Sequence, residues 1–358
     1  MIMVKSMKSV YDKEWTDFKL GLLAEVKSGR DIYAQDRIDG ETPYVTAGTA
    51  NNGIGYFVGN DNDSKDRNII SVNRNGAVGE AFYHPYTALF GNDCRRVSMR
   101  STSDSNAQLF IAESISHQKS AFSYSRKLGT ARLNNLHFML PVSSVGEPDY
   151  EYMAKYSIEK QKELIEKYKK LLEKQIQEID YRNIPHLEEK DWIPISVYSI
   201  FHLIRGRENN MAILDDGKMP LISAKKINNG LKGFVSSPNR TVKGNCISLN
   251  NDGDGGAGLA YYQPYEMALD THVTALIPKE NISKWSMLFI SECISKLHGF
   301  FGHGLSISNK RAKNIQIMLP VTDDGQPDYE YMEQYAKNMM LKKYNQYLSY
   351  LEHKKEKK

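Results

Sequence analysis

Met139-Leu140-Pro141-Val142, then Gly146, then Pro148-Asp149-Tyr150-Glu151-Tyr152-Met153 and Tyr156, is written twice in this chain of 358 residues. It returns 179 positions later as Met318-Leu319-Pro320-Val321, Gly325, Pro327-Asp328-Tyr329-Glu330-Tyr331-Met332 and Tyr335. Solenoid repeats recur at roughly 20 to 50 residues, so this longer period marks a duplicated domain. Outward from the anchor, Leu109-Phe110-Ile111-Ala112-Glu113 matches Leu288-Phe289-Ile290-Ser291-Glu292 at the same offset. Further upstream the offset is 177, pairing Trp15 with Trp192, Gly29-Arg30 with Gly206-Arg207, Asn52-Gly53 with Asn229-Gly230 and Asn68 with Asn245. The second copy therefore carries two extra residues between the positions matching Gly76 and His84, where it reads Gly253-Asp254-Gly255-Gly256-Ala257-Gly258. That composition suits a loop, and a loop insertion leaves a scaffold intact. Two copies of one unit in one chain suit two similar targets at a fixed separation.

Within each copy, short segments such as Tyr44-Val45-Thr46, Asn68 to Val72 and Gly79 to Tyr83 are rich in β-formers and bounded by Asn-Gly and Gly-rich turns, which predicts strands. A helix is expected at Ala107 to Ser116 and at Met287 to Ser295. From about Tyr150 to Arg182, and from about Tyr329 onward, Gly and Pro vanish while Lys, Glu, Leu and Tyr dominate, which predicts two long helices. Each opens with Pro at or near its first position and acids in its first turn, as the helix dipole favours. Ile158, Ile165, Leu172 and Ile179 recur every seven residues, with Tyr168 and Ile176 between them; Leu341, Tyr344, Leu348 and Leu351 recur at three and four. Both are coiled-coil seams too short to stand alone, so each pairs with the other or with a partner's helices. The expected fold is α+β with an internal pseudo-two-fold duplication: residues 1–148 and 185–326 as β-rich domains, 149–184 and 327–358 as the helices.

Composition is that of a globular protein, with 41% apolar and 25% charged residues. No apolar run reaches the roughly 20 residues of a membrane span, and Met1-Ile2-Met3-Val4-Lys5 is too short for a signal peptide, so no membrane and a cytoplasmic location are expected. Cys94, Cys246 and Cys293 are isolated, which supports neither disulfide nor zinc. A net charge of +4 permits a polyanion partner without requiring one. Catalytic readings fail on the motifs. Tyr83-His84-Pro85-Tyr86 and Tyr262-Gln263-Pro264-Tyr265 lack the leading amide or acid and the second proline of an adenine methyltransferase tetrad and read as strand-end turns. The loop Gly253 to Gly258 lacks the Lys-Ser/Thr of a P-loop, and no histidines stand in an HExxH pattern. Pro148-Asp149 and Pro327-Asp328 open helices rather than a nuclease strand. No catalytic residue, metal or cofactor is expected.

Two β-rich units alternating with two long helices, joined by LPV…G.PDYEYM..Y, resemble the specificity subunit of type I and BcgI-type restriction-modification systems over nearly the whole chain. The resemblance implies two target-recognition domains and helices pairing as an antiparallel coiled coil. It also implies double-stranded DNA and a methyltransferase, separate or fused to a nuclease, as partners. The segment from Tyr124 to Asn135, with Arg126, Lys127 and Arg132, and its counterpart with Asn309, Lys310, Arg311 and Lys313, resemble the stretch near DNA in such domains. Arg132 and Arg311 are retained in both copies, which fits phosphate positioning, or scaffold pairing with a carboxylate, better than base reading. Asn73-Arg74-Asn75-Gly76 against Asn250-Asn251-Asp252-Gly253 is a second candidate surface, because Arg74 has no match in the second copy. Arg30, Arg95, Arg207, Lys225 and Lys226 complete the basic candidates. A helix of about 30 residues spans about 45 Å, so the two heads would sit roughly one duplex turn apart and read half-sites separated by about 5 to 8 bp. Two alternatives stay open: a coiled-coil adaptor or decoy that binds the methyltransferase without reading DNA, and a single-chain enzyme with unrecognised catalytic residues.

Overall fold

The computed structural model describes residues 9–123, 125–208, 214–252, 256–301 and 305–356. The chain forms two compact units that meet in sequence between Tyr168 and Lys169, partway along the first long helix.

In the first unit, Trp15–Lys19 pairs antiparallel with His137–Pro141, so Trp15 faces the Pro141 of the repeated motif. A four-stranded antiparallel sheet runs in the order Ala24–Ser28, Cys94–Met99, Ile69–Asn73, Ala81–His84. The strand Ile69–Asn73 is buried along its whole length, which is why it reads as a continuous run rather than an alternation. A third sheet sets Asp39–Val45 between Ile54–Val58 and Leu89–Phe90, the latter parallel to it. Ala107, Ile111 and Ile115 of helix Ser105–Ser116 join Ile70, Val97, Phe138, Leu140 and Met153 in one core. A smaller core holds Val45, Ile69, Phe90 and Cys94.

The second unit repeats this order: Trp192–Ser196 with Gln316–Pro320, then Phe201–Arg205, Val273–Pro278, Cys246–Asn250 and Ala260–Gln263 as the four-stranded sheet. Its third sheet gains a strand, Thr241–Val242, where the first unit has only an isolated bridge from Asp66 to Ala88. Gly79 and Gly258 occupy equivalent corners, at φ +87 and +88, and each donates its N–H to the asparagine ending the preceding strand, Asn73 or Asn250, at 2.9 Å. The two inserted residues therefore fall between Asn250 and Gly258, a stretch of which 253–255 lie outside the described residues.

The repeated motif is a joint. Leu140, Leu319, Met153 and Met332 are fully buried in the cores. Gly146 and Gly325 turn the chain at φ +83 and +76, a left-handed conformation that glycine takes without cost. The prolines stand two positions before the first helical residue; the caps are Asp149 and Asp328, whose Oδ1 atoms each accept the N–H three residues on, at 2.9 Å. The same carboxylates pair with Lys13 at 2.6 Å and Lys190 at 2.8 Å. Those lysines lie 5.2 Å above the rings of Tyr152 and Tyr331. Tyr156 and Tyr335 continue the contact to Phe110 and Phe289, which stack on Trp15 and Trp192.

The long helices span Tyr150–Gln177 and Tyr329–Glu356, 28 residues each. The first stops five residues short of Arg182. Residues beyond it lie along the start of the second, where Gln334 Nε2 donates to Asp180 O (2.8 Å), Asn338 Nδ2 to Arg182 O (2.7 Å) and Tyr331 OH to Pro185 O (3.0 Å). Along the expected seams Leu172, Ile179, Leu341 and Leu351 are buried, whereas Ile158 and Tyr168 are exposed. No helix among the described residues is long and apolar enough to cross a membrane.

Candidate nucleic-acid interface

Each head gathers four chain segments at the end of its most buried strand. The strand ends in Asn73, fully buried, whose Nδ2 donates to Gly48 O at 3.0 Å while its Oδ1 faces the Cys94 thiol at 3.7 Å. One residue on, Arg74 donates its N–H to Asp93 O (2.8 Å) and accepts that of Leu128 (3.2 Å). In the second head Asn250, also fully buried, ties down Lys225 O at 3.1 Å. Asn251 there donates to His272 O (2.8 Å) and accepts from Ile307 (2.7 Å). The backbone frame is the same twice; the side chains upon it are not.

Asn73 and Asn250 were expected to face DNA. Both are clamps instead, sealed in the core and bonded to the turn at residue 48 or 225. This explains why both copies hold asparagine: a buried amide joins two segments that a hydrophobe would leave unpaired.

Around this frame the charge differs. In the first head Arg74 is half-buried and Arg95 is 5% exposed. Arg95 Nη1 donates to Asn92 O (2.8 Å) and Cys94 O (3.2 Å), and its Nε has no partner. Burial lowers the Arg95 pKa, and the neighbouring Arg74 charge lowers it further. Asn75 holds Asp93 at 3.3 Å. In the second head the equivalent positions are neutral or paired: Thr274 Oγ1 donates to Asn251 Oδ1 at 2.9 Å, and His272 contacts Asp252 at 2.6 Å. Its cations stand elsewhere, on Lys225, which reaches Leu231 O at 3.3 Å, and on the exposed Lys226.

The basic segment before each joint contains a five-residue helix, Thr130–Asn134 or Asn309–Lys313. Arg132 donates to Lys127 O and Arg311 to Ser306 O, so both close the same loop upon itself, and the partner is a carbonyl where the scaffold alternative had a carboxylate. Arg126 is exposed, 5.7 Å from the Phe122 ring, and Lys127 is half-buried. Lys310 and Lys313 are exposed on the second head's helix, Lys313 lying 4.9 Å from the Tyr198 ring. Tyr124 lies outside the described residues, and of Asn309 only the backbone is described. Arg30 is exposed in an ion pair with Asp63 at 3.3 Å, and Arg207 is exposed. Their shared Gly-Arg pattern belongs to the glycines: a Cβ on Gly29 or Gly206 would lie 2.1 or 2.0 Å from the carbonyl oxygen of Gly91 or Asp270.

Asp93, His272 and Thr274 escaped the sequence reading because they reach the site from a separate strand start. Their only signal was the offset alignment itself. Burial raises the thiols of Cys94 and Cys246 to about 12 and that of Cys293 to about 11, so none is a ready nucleophile. Among the described residues no group of three or more His, Cys, Asp or Glu could hold a metal ion.

The family-model comparison agrees with this doubled architecture. The family model for the type I restriction modification DNA specificity domain matches residues 12–174 and again 189–349. The type II restriction enzyme specificity subunit S.BcgI of Heyndrickxia coagulans is 32% identical over 163 residues, which is 45% of this chain and 48% of that protein, so the match spans about half the length of the relative. The S subunit of a type I restriction-modification system from M. genitalium aligns over 97% of this chain and 94% of its own at 17% identity and a TM-score of 0.43. The HsdS subunit of Thermoanaerobacter tengcongensis aligns over 95% and 91% at 14% identity and 0.32. Matched twice and over most of its length, the chain belongs to the type I restriction-modification DNA specificity domain family.

Proposed function

We propose that this chain is a non-catalytic subunit that reads a bipartite, asymmetric site on double-stranded DNA, one half with each head, and directs a methyltransferase or a fused methyltransferase-nuclease to it. The observation that carries this reading is the doubled frame at the strand end, held by the same buried asparagine in both heads but presenting Arg74 in one and Lys225 and Lys226 in the other. One docking geometry with two sets of contacting groups suits two different half-sites: backbone contacts position each head, and the differing side chains select bases. The helices supply the spacing. Each 28-residue helix spans about 42 Å at 1.5 Å per residue; paired antiparallel, they would hold the heads about one duplex turn apart and leave a spacer of about 5 to 8 bp. Their exposed tyrosines, Tyr168, Tyr347 and Tyr350, offer a surface to the catalytic partner.

Sequencing of methylated positions in a host carrying this gene with its neighbours tests the proposal. Two unlike short half-sites flanking an unspecified spacer are expected. A single contiguous palindrome would overturn two-headed reading, and methylation with no sequence preference would favour an adaptor.

A further inference from the structure

We propose that Arg74 is the specificity-determining residue of the first head, that it takes the paired acceptors of a guanine edge, and that Arg95 is its positioning residue. This rests on the DNA-reading function above and deepens it.

The argument begins with Arg95. A guanidinium carries five N–H donors and is almost never buried without acceptors for them. Arg95 is 95% buried, since only 5% is exposed, yet it bonds two backbone carbonyls and leaves Nε unpartnered. Among the described residues no carboxylate forms an ion pair with it; Asp93, held by Asn75, supports its charge from a distance, but burial and Arg74 outweigh that support. A second cation, Arg74, lies close enough to lower its pKa. Two like charges beside one another at a strand end are unfavourable unless a third group, rich in acceptors, completes the site.

Geometry makes Arg74 the outward member. Its backbone is pinned on both sides, by Asp93 O and by the Leu128 N–H. Its side chain is half-buried where that of Arg95 is sealed. Repulsion between Arg74 and the sealed Arg95 charge favours a fork turned away from the core. Guanine O6 and N7 match that fork in a bidentate contact.

The second head provides the contrast. The residues equivalent to Arg74 and Arg95 are Asn251 and Thr274, bonded to one another at 2.9 Å. That pair bears no charge and calls for no anionic or acceptor-rich ligand. The buried asparagines of the frame are retained while this pair is exchanged, together with Asn75 and Asp93 for Asp252 and His272, so the difference belongs to what each head reads and not to how it folds.

The test exchanges the pair as a unit: Arg74→Asn with Arg95→Thr in the full chain, because the two replacements satisfy one another in the second head. Wild type, the exchange and Arg74→Lys would each select from a pool of random-sequence duplexes, with thermal unfolding as the folding control. The wild type is expected to favour guanine at one position of one half-site. Both variants should lose that preference by roughly 5- to 150-fold while the other half-site stays unchanged, and Arg74→Lys should keep its overall affinity. An unchanged half-site with uniformly weaker, less salt-dependent binding would make Arg74 a phosphate contact and overturn the assignment alone. A wild-type chain that selects no sequence would overturn the DNA-reading function and this assignment with it.

Discussion

His84 shows how one buried side chain ties the first head to pH. It is fully buried, bonded to Ser71 Oγ at 2.8 Å and to Tyr86 OH at 3.0 Å, and burial alone lowers its pKa to about 4 from the ordinary 6.5. The folded protein thus binds the proton less readily than the unfolded chain. Stability is complete above pH 6.5 and falls as pH drops toward 4, by about 3 kcal/mol at the lower end. The second head has Gln263 at this position, donating to Ser248 Oγ at 2.9 Å, so His84→Gln should fit. Thermal unfolding from pH 7 to 4 should show the wild type losing stability more steeply than the variant; equal slopes would refute the assignment. At this scale the sequence was legible only in part. That His84 ends a strand could be read from its neighbours, but its burial depends on Phe90 and Tyr86 packing around it, and those contacts are set by tertiary folding. The same limit applies to Asn73 and Asn250, which read as surface turn residues because asparagine is common in turns.

At the scale of the element, the joint between head and helix carries the clearest energetic claim. Burial alone would raise the Asp149 pKa, but the Lys13 ammonium and the Tyr152 N–H outweigh it and hold the carboxyl below its usual range. Asp149→Ala removes both the cap and the counter-charge of a lysine whose side chain is only 15% exposed. A loss of about 1 to 3 kcal/mol is expected in urea unfolding of the full chain, with Asp149→Asn recovering the cap but not the ion pair. No change on Asp149→Ala would mean that the aromatic ladder alone secures the helix. The strands and both long helices were evident from composition and spacing. Two details were not. Leu89–Phe90 is too short to signal a strand and owes its place to parallel pairing with Tyr44 and Val45. The first helix ends at Gln177 although no Gly or Pro stops it before Arg182, because side chains of the second helix capture the carbonyls of Asp180 and Arg182. Such a stop is written in Gln334 and Asn338, more than 150 residues away.

For the whole molecule the duplication was the most legible property, since an offset alignment requires no knowledge of structure. The ruler proposed for the helices belongs to this scale too. Deleting seven residues from each long helix removes about 10 Å and should shorten the preferred spacer by about 3 bp, leaving both half-sites intact. Methylation sequencing of the shortened protein with its partner reads this out, and an unchanged spacer would remove the helices from that role. The clamp formed by Asn73 and Asn250 has a consequence for mutational tolerance. Each buried amide holds the strand end and the neighbouring turn together, so the flanking exposed and half-buried positions carry little of the folding free energy. A library randomised at Gly48, Thr49 and Arg74, or at Lys225 and Lys226, should therefore yield mostly folded proteins, and new binding preferences would be reachable by single substitutions without compensating repairs to the core.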